Sequence, residues 1–349
     1  MARDASPPPP HPRPLSSPVG GGGGTAAAAA SASVTAAASA GRRQPASETP
    51  VRHVDNVTAY DAWAAVYDSD GNILQSVDDL ELEEMLPRFL EGAVGRLSGD
   101  EAVFRVLDLG CGTGRNTEKV VRWWEERRRR QGDEKKGGGG VERMEVTGVD
   151  ASKGMLGKAK ERLIPLVETS DATTLNLLNL DPFFATTLPA PLRRPLQRYH
   201  AVVSTLVLEH VPLDPFFRTL AALLAPAAVA LVSNMHPDMG AVSQAGFVAT
   251  DVGGGRVKVR GTSWAHGIAE TVEKAGEVGL GLVLEGGGGE DGGAVEGVRE
   301  RAVDEGLIRR GMVGGRGWKW VGTKVWFGFV VGRINGGGGG GGGGEAEEV

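Results

Sequence analysis

The chain is poor in cysteine and in long apolar runs, and each shortage excludes a class of protein. Cys111 is the single cysteine among 349 residues, so the chain forms neither an intramolecular disulfide framework nor a zinc site of the CxxC type. No apolar stretch reaches the roughly 20 residues that a membrane-spanning helix needs. The first residues lack the apolar core of a secretory signal peptide. We therefore expect a soluble, cytoplasmic protein.

Large apolar residues are almost missing at both ends of the chain. Residues 1–52 are rich in Pro, Ala, Ser and Gly, and residues 335–349 form a Gly-rich acidic tail. Neither segment can bury enough apolar surface to offset the entropy of ordering, so we predict that both are disordered. An Ala/Ser-rich run ending at Arg42-Arg43 resembles a transit peptide, which makes the mitochondrion the alternative location.

The remaining residues, 53–334, are predicted to form one α/β domain with inserted loops near 131–140 and 286–293. Helical patterns alternate with segments of strand length, which predicts a mostly parallel sheet with helices on both faces. The last such segment has no helix after it and should be an antiparallel strand. Residues 246–260 indicate a hairpin or loop. The seven predicted strands are 103–109, 145–150, 173–180, 199–206, 227–233, 279–285 and 323–333.

Two helical patterns precede the first strand. Tyr60, Trp63 and Tyr67 recur at three- and four-residue spacing, which predicts one helix face carrying all three rings. This face either packs on the core or covers a ligand as a lid, and the two roles are compatible. Residues 77–97 form the second pattern, with Asp78 and Asp79 in its first turn, where the helix dipole favours them.

A glycine-rich turn follows the first strand and precedes the next helical pattern. Gly110, Gly112 and Gly114 occupy alternate positions there. Glycines let the backbone turn tightly and approach a ligand without a Cβ in the way. The helix that follows directs its free N–H groups towards the same place. This strand, turn and helix together predict a nucleotide-like ligand.

The spacing of these glycines excludes two kinds of nucleotide site. A dinucleotide site would have the sequence G-x-G-x-x-G, and a P-loop would have Gly-Lys-Ser/Thr, but the chain has neither here. Asp108 lies two places before the first glycine, where its charge would repel a pyrophosphate and attract a cationic ligand. These features favour a sulfonium amino acid nucleoside.

Between residues 60 and 333 the chain resembles the class I, Rossmann-like, S-adenosylmethionine-dependent methyltransferases. Residues 106–114, Val-Leu-Asp-Leu-Gly-Cys-Gly-Thr-Gly, closely match the first motif of that family. The resemblance implies a Rossmann-like fold and S-adenosyl-L-methionine as the cofactor. It also implies that the methionine and ribose parts of the cofactor lie against Asp108, Gly110, Gly112 and Gly114.

The acid that this family uses to bind the ribose falls on Asp150, at the end of the second strand, with Ala151 beside it. Asp150 lies 42 residues after Asp108, a longer gap than the family usually has. The inserted loop near 131–140 accounts for the excess, because a loop that bulges outward costs little and moves neither strand end.

The resemblance assigns three further cofactor contacts. It implies that the adenine lies near Asn179 and Leu180, with Asp181 as the rival to the asparagine. It implies that Thr205, after the fourth strand, borders the methyl donor. It also implies that Tyr60 belongs to an N-terminal lid over the site.

Methyl transfer is an in-line displacement, and it needs a general base only when the acceptor must lose a proton. Three histidines follow predicted strands or precede a late helix, where their side chains could line a crevice at the carboxyl edge of the sheet. We rank His236 first, His266 second and His210 third as candidate catalytic residues.

The acceptor is predicted to be a small molecule methylated at oxygen or nitrogen. Thiol-dependent methylations are excluded because Cys111 lies in the cofactor turn, and no Asp/Asn-Pro-Pro-aromatic sequence follows the fourth strand, which argues against methylation of nucleic-acid bases. The net charge of −6 argues against nucleic acid too, and no metal or membrane is expected. The alternatives are a protein or tRNA methyltransferase, or a non-catalytic cofactor-binding module.

Overall fold

The computed structural model describes residues 49–98, 101–132, 141–184, 192, 198–251, 253–284 and 295–334. The predicted low-complexity segments, 1–52 and 335–349, lie outside these residues except for 49–52. The predicted loops also lie outside them, except for 131 and 132. Within the described ranges, no helix is long and apolar enough to cross a membrane.

The described chain alternates strands and helices, as the sequence predicts. The strands are β1 (Val51–His53), β2 (Val103–Leu109), β3 (Arg143–Asp150), β4 (Thr173–Asn179), β5 (Tyr199–Thr205), β6 (Leu224–Met235), β7 (Gly246–Thr250), β8 (Arg256–Arg260), β9 (Leu280–Leu282), β10 (Val298–Ala302) and β11 (Lys324–Arg333). The α-helices are α1 (Asn56–Trp63), α2 (Ile73–Gly95), α3 (Arg115–Gln131), α4 (Lys153–Val167), α5 (Leu213–Leu223), α6 (Pro237–Val242), α7 (Ile268–Glu277) and α8 (Glu305–Arg309). Leu208–His210 and Gly315–Trp320 form 3-10 helices.

The main sheet has the strand order β10-β11-β6-β5-β2-β3-β4. The strands from β6 to β4 are parallel, and β11 runs antiparallel to β6. The prediction of a mostly parallel Rossmann-like sheet with an antiparallel last strand is therefore confirmed. The predicted sixth strand is shorter than expected, since β9 pairs with only one end of β11 while β10 pairs with the other end. Within the described part of the chain, eight strands thus fill seven positions of the main sheet.

A second, smaller sheet of order β1-β8-β7 lies beside the main one. β7 and β8 form the hairpin that residues 246–260 indicate, and β1 joins β8 in parallel. The indole of Trp63, the last residue of α1, stacks on Phe247 of β7 with ring centroids 5.2 Å apart. This contact attaches α1 to the small sheet and fixes the wall of the functional site.

Helix α2 begins four residues earlier than predicted. The side chain of Asn72 caps it by accepting a hydrogen bond from the Leu74 N–H at 3.0 Å, as N-cap asparagines do. Asp78 and Asp79 therefore lie in the second turn of the helix and not in the first turn, where the helix dipole would favour them. Asp78 points inward and is fully buried.

The Asp78 carboxylate joins four elements of the fold. It accepts hydrogen bonds from Ser233 Oγ of β6 at 2.5 Å, Trp326 Nε1 of β11 at 2.9 Å and Arg115 Nη2 of α3 at 2.6 Å. A buried carboxylate is tolerated only when it is paired and hydrogen-bonded in this way. Asp78 therefore fixes α2 and the start of α3 against the sheet.

We predict that Asp78→Ala lowers the free energy of unfolding by about 3–5 kcal/mol, because it leaves the buried donors of Ser233 and Trp326 without their acceptor and removes the buried one of the two carboxylates that pair with Arg115. Urea denaturation followed by circular dichroism measures this change. Asp79→Ala is the matched control, since Asp79 also pairs with Arg115 but its side chain is 40% exposed. Its loss should be about 1 kcal/mol or less, and equal losses in the two variants would contradict the role of Asp78.

Candidate active site

The glycine turn after β2 has the geometry that the sequence predicts. Gly110 and Gly112 have φ angles of +85° and +54°, which disfavour residues with a Cβ. A Cβ on Gly110 would lie 2.2 Å from Cγ2 of Val207. The N–H groups of Gly110 and Cys111 donate to the Val149 carbonyl at 2.8 and 2.9 Å, which ties the turn to β3.

Two of the residues predicted to contact the cofactor support the turn from behind. Gly114 has φ +78°, and a Cβ there would lie 2.9 Å from Cδ1 of Leu163, so this glycine lets α3 pack on α4. Asp108 is buried beneath the turn, where its Oδ2 accepts from Thr117 Oγ1 at 2.5 Å and its Oδ1 has no partner among the described residues. Burial raises the pKa of Asp108 to about 6. Neither residue lines the cleft described next.

A cleft enclosing about 840 Å³ opens above the glycine turn, at the carboxyl ends of the parallel strands. This is where ligands bind in open α/β sheets, and the size suits a nucleotide-like molecule. Most of the predicted cofactor residues line this cofactor cleft, together with one of the three histidines: Tyr60, Gly110, Gly112, Asp150, Ala151, Leu180, Thr205 and His210.

Asp150 holds a fixed position in the cofactor cleft. Its Oδ2 accepts from the Gly112 N–H and its Oδ1 from the Ser152 N–H, both at 2.8 Å. Burial raises the pKa of Asp150, the two N–H groups oppose this, and the charges of Asp61 and Asp181 raise the pKa further. A carboxylate held by two N–H groups keeps lone pairs free to accept from ribose hydroxyls.

In the structure, Asn179 makes backbone contacts in place of the contact with adenine that the sequence predicts. Asn179 Nδ2 donates to the carbonyls of Asp150 and Ala151 at 3.0 and 2.8 Å, and the residue does not line the cofactor cleft. The amide instead joins the ends of β3 and β4. The wall beyond it is made by Leu180, the rival Asp181 and Phe183.

The two histidines ranked highest from the sequence lie away from the cofactor cleft. His236 caps α6, with Nδ1 accepting from the Asp238 N–H at 3.1 Å and Nε2 lying 2.8 Å from Glu300. Nε2 of the buried His266 lies 3.0 Å from the Val211 carbonyl and holds the loop after β5. Both rings are occupied by structural hydrogen bonds, so the geometry does not favour either as a base.

His210 is the histidine that the structure brings into the cofactor cleft. Its Nδ1 lies 2.8 Å from the Thr262 carbonyl, which can only accept, so Nδ1 carries the hydrogen. Nε2 is then free to accept from Tyr60 Oη at 2.7 Å, and Glu209 Oε1 lies 3.3 Å away. Burial alone would lower the pKa of His210, but its hydrogen bond with Glu209 and the charge of that residue raise it above its usual value.

A second cavity, which we call the acceptor cavity, adjoins the cofactor cleft and encloses about 1080 Å³. Tyr60, Tyr67 and Leu206 line both spaces and form the wall between them. Leu206 has φ +57°, an uncommon conformation for a bulky residue and one that often marks functional sites.

Glu209 lines the acceptor cavity and was not predicted from the sequence. It is 3% exposed, and its Oε2 has no hydrogen-bond partner among the described residues. A buried carboxylate oxygen without a donor is costly, so this atom points to a ligand. The adjacent pair Glu209-His210 is the only sequence signal for it, and that signal is weak.

The aromatic residues near the N-terminus both pack together and line the site. The ring centroids of Tyr60 and Trp63 lie 5.6 Å apart, and those of Trp63 and Tyr67 lie 5.0 Å apart. Helix α1 ends at Trp63, so Tyr67 reaches the cluster from the following turn and not from the same helix face. The predicted packing of the three rings is therefore present, and the lid role stays a prediction.

Comparison with known proteins identifies the family to which the chain belongs. The family model of a methyltransferase domain matches residues 82–266. An uncharacterized methyltransferase of Emericella nidulans is 37% identical over 288 residues, which cover 80% of this chain and 91% of that protein. The chain belongs to the methyltransferase family. This confirms the resemblance to S-adenosylmethionine-dependent methyltransferases, and with it S-adenosyl-L-methionine as the cofactor.

Two solved structures show similarity of fold at low sequence identity. The CcbJ methyltransferase of Streptomyces caelestis is 16% identical with a TM-score of 0.47, and the match covers 80% of this chain and all of that one. Magnesium protoporphyrin IX methyltransferase of Synechocystis, with bound S-adenosylhomocysteine, is 16% identical with a TM-score of 0.44, covering 80% and 95%. We assign no acceptor from these matches.

We predict that Asp150→Ala lowers the affinity for S-adenosylhomocysteine about 10- to 100-fold, because a charged hydrogen-bond acceptor is lost. Isothermal titration calorimetry measures this change. Asp171→Ala is the matched control, because it removes the same charge from a side chain that is 93% exposed. Unchanged affinity in the Asp150 variant would contradict the predicted ribose contact.

A second prediction concerns pH. Because Asp108 has a pKa of about 6 in the folded chain and about 3.9 when unfolded, the folded state binds more protons between these values. Stability should therefore fall as pH rises from 4 to 6. Asp108→Asn does not titrate, so its stability relative to wild type should increase across this window by about 2–3 kcal/mol. Urea midpoints at pH 4, 5, 6 and 7 measure the difference, and parallel curves would contradict it.

Proposed function

We propose that this methyltransferase transfers the methyl group of S-adenosylmethionine to an oxygen or nitrogen atom of a small molecule held in the acceptor cavity. The observation that carries the proposal is the junction of the two spaces at Tyr60, Tyr67 and Leu206. A cofactor in the cleft and an acceptor in the cavity would meet across this wall.

The residues of the cofactor cleft fit S-adenosylmethionine. When bound, it supplies a methyl group activated by a positively charged sulfonium. Gly112 leaves open space for a ligand against the backbone, Gly110 also lines the cleft, and Asp150 offers lone pairs to ribose hydroxyls. The carboxylates of Asp150 and Asp181 in the walls favour a cation. The glycine spacing and Asp108 predict the same class of ligand from the sequence.

The aromatic wall supports alignment of the two reactants. The rings of Tyr60 and Tyr67 lie 5.9 Å apart and pack on the buried Trp63, so their positions are fixed by neighbours. Rigid walls that hold two reactants in line and exclude water supply much of the rate enhancement in a displacement reaction. We expect these rings to act in this way and not as acids, since burial raises the pKa of Tyr67 above its usual range.

The Glu209-His210 pair is our candidate for the base. Glu209 Oε2 can accept the proton of an acceptor hydroxyl or amine, and Oε1 lies close enough to His210 Nε2 to share it. Thr262 holds the opposite side of the ring. This replaces the sequence-based ranking of the histidines, because His210 is the one of the three that lines the cofactor cleft, and its Nε2 lies 3.3 Å from Glu209 Oε1.

A protein or tRNA acceptor is the alternative. The acceptor cavity is concave, and its aromatic and methionine side chains, with Tyr60, Trp63, Tyr67, Met235 and Met239, suit a compact ligand. These features favour a small molecule over a polypeptide or a structured RNA.

The test is to incubate the full chain with methyl-labelled S-adenosylmethionine and a cell extract, and then to separate small molecules from protein and RNA. Label should enter the small-molecule fraction. Label confined to protein or RNA would contradict the small-molecule proposal. Label in no fraction, together with calorimetric binding of S-adenosylhomocysteine, would favour the non-catalytic alternative.

We predict that Glu209→Gln and His210→Gln each lower kcat about 100-fold or more while S-adenosylhomocysteine still binds, as expected for loss of general base catalysis. Because the pKa of His210 is raised, the wild-type rate should increase with pH through a midpoint above the usual value of about 6.5 and then level off, and this step should vanish in His210→Gln. His236→Gln is the matched comparison. A larger loss of kcat in the His236 variant than in the His210 variant would contradict the assignment.

A further inference from the structure

Three basic side chains line the acceptor cavity: Lys258, Arg316 and Lys319. Lys258 belongs to β8, and the other two belong to the 3-10 helix Gly315–Trp320. They come together from segments that are about 60 residues apart in the sequence. We call these three residues the basic cluster.

The basic cluster has no acidic partner within the part of the chain that the structure describes. No carboxylate oxygen lies within 4.0 Å of any of the three cationic groups. Arg316 donates to the backbone carbonyl of Asp70, and the Lys319 ammonium lies 4.7 Å from the centre of the Trp320 ring. These contacts position the cations without neutralising them.

The charges in the cluster also act on one another. Burial lowers the pKa of Lys258, and the positive charges of Arg260, Lys319 and Arg316 lower it further. Like charges gathered on one wall of a cavity repel one another unless an anion is bound there. Such an anion would relieve the repulsion and gain hydrogen bonds to charged donors, which are about twice as strong as neutral ones.

The carboxylates of Asp70 and Glu209 line the same cavity, but they do not pair with the basic cluster and so do not take the place of a bound anion. The Asp70 Oδ2 accepts from the Trp63 indole at 2.8 Å, and Glu209 is close to His210. The rest of the lining combines polar residues with an apolar region formed by Ile73, Leu74, Met235, Met239, Phe247 and Trp320. The cavity therefore offers an apolar region, a basic cluster and two buried carboxylate oxygens without a hydrogen-bond partner among the described residues, Glu209 Oε2 and Asp70 Oδ1.

We propose that the methyl acceptor is a small molecule with an apolar body and an anionic group, a carboxylate or a phosphate, which Lys258, Arg316 and Lys319 bind. This proposal rests on the proposed function, since it assumes that the second cavity holds the acceptor. The nucleophilic hydroxyl or amine of the acceptor would then face Glu209 and the wall formed by Tyr60 and Leu206. In the transfer, the acceptor atom forms a bond to the methyl carbon as the carbon–sulfur bond breaks, and the acceptor proton passes to Glu209.

The first experiment separates the small molecules of a cell extract by ion exchange into anionic, neutral and cationic pools. Each pool is incubated with the full chain and methyl-labelled S-adenosylmethionine. Label should enter the anionic pool. Label only in the neutral or cationic pool overturns this proposal and leaves the proposed function standing. Label in none of the pools, or in macromolecules alone, overturns both.

Phosphatase treatment of the anionic pool before the assay identifies the anionic group. Loss of acceptor activity assigns a phosphate ester, and full retention assigns a carboxylate. Either result agrees with binding by the basic cluster.

The second experiment tests the cluster itself. At limiting concentration of the anionic pool, Lys258→Gln should lower the initial rate about tenfold, the effect of losing one charged hydrogen bond. Lys258→Arg should restore most of this rate, and Lys319→Gln should reproduce the loss. Affinity for S-adenosylhomocysteine and the melting temperature should not change, which a merely structural role would not predict.

Arg256→Gln is the matched control. It removes a positive charge from an exposed residue two positions earlier on β8 that does not line the acceptor cavity. If Arg256→Gln lowers the rate as much as Lys258→Gln, the effect comes from general surface charge and the proposal is overturned. A Lys258→Gln rate equal to that of wild type overturns it as well.

Discussion

The buried hydrogen bonds of Asp78 join the parts of the chain that the site needs. Asp78 connects α2 to β6, to β11 and to Arg115 at the start of α3. Asn116, the next residue, donates from Nδ2 to Thr205 Oγ1 at 2.7 Å, and Thr205 lines the cofactor cleft. An ion pair of this kind adds little net stability over an apolar core. Its value is directional, because it fixes the helix that follows the glycine turn relative to the strand ends.

The central sheet could be predicted from the sequence because its signals are local. β2, β5 and β6 are buried for most of their length and are rich in apolar residues, and Gly110, the first glycine of the turn, directly follows β2. β1 and β10 could not be predicted in the same way. Each is short, and each owes its strand geometry to a partner far along the chain, β8 or β11. The start of α2 was misplaced because the capping asparagine Asn72, five residues before the expected start, was not recognised.

The same distinction between local signals and long-range contacts applies to the residues of the candidate site. Asp150 could be found because it ends a strand, and the loop that separates it from the glycine turn does not move it. His236 also follows a strand, but its ring caps the next helix and contacts Glu300. The role of a histidine therefore depends on neighbours that are distant in sequence. The acceptor cavity is a stronger case, since its walls come from α2, β8, the turn after α1 and a 3-10 helix near residue 318. Its lining residues are spread along the chain, so no single stretch of the sequence could predict it.

The cofactor cleft and the acceptor cavity have charges of opposite sign on their walls. Carboxylates at Asp150 and Asp181 line the cofactor cleft, whereas Lys258, Arg316 and Lys319 line the acceptor cavity. With a cationic cofactor in the first space and an anionic acceptor in the second, each ligand offsets the unpaired charge of its own walls and attracts the other across Tyr60 and Leu206. Methyl transfer removes the sulfonium charge, so this mutual attraction weakens once the reaction is complete. Substrates would therefore hold each other in the site more strongly than products do, which favours turnover over product inhibition.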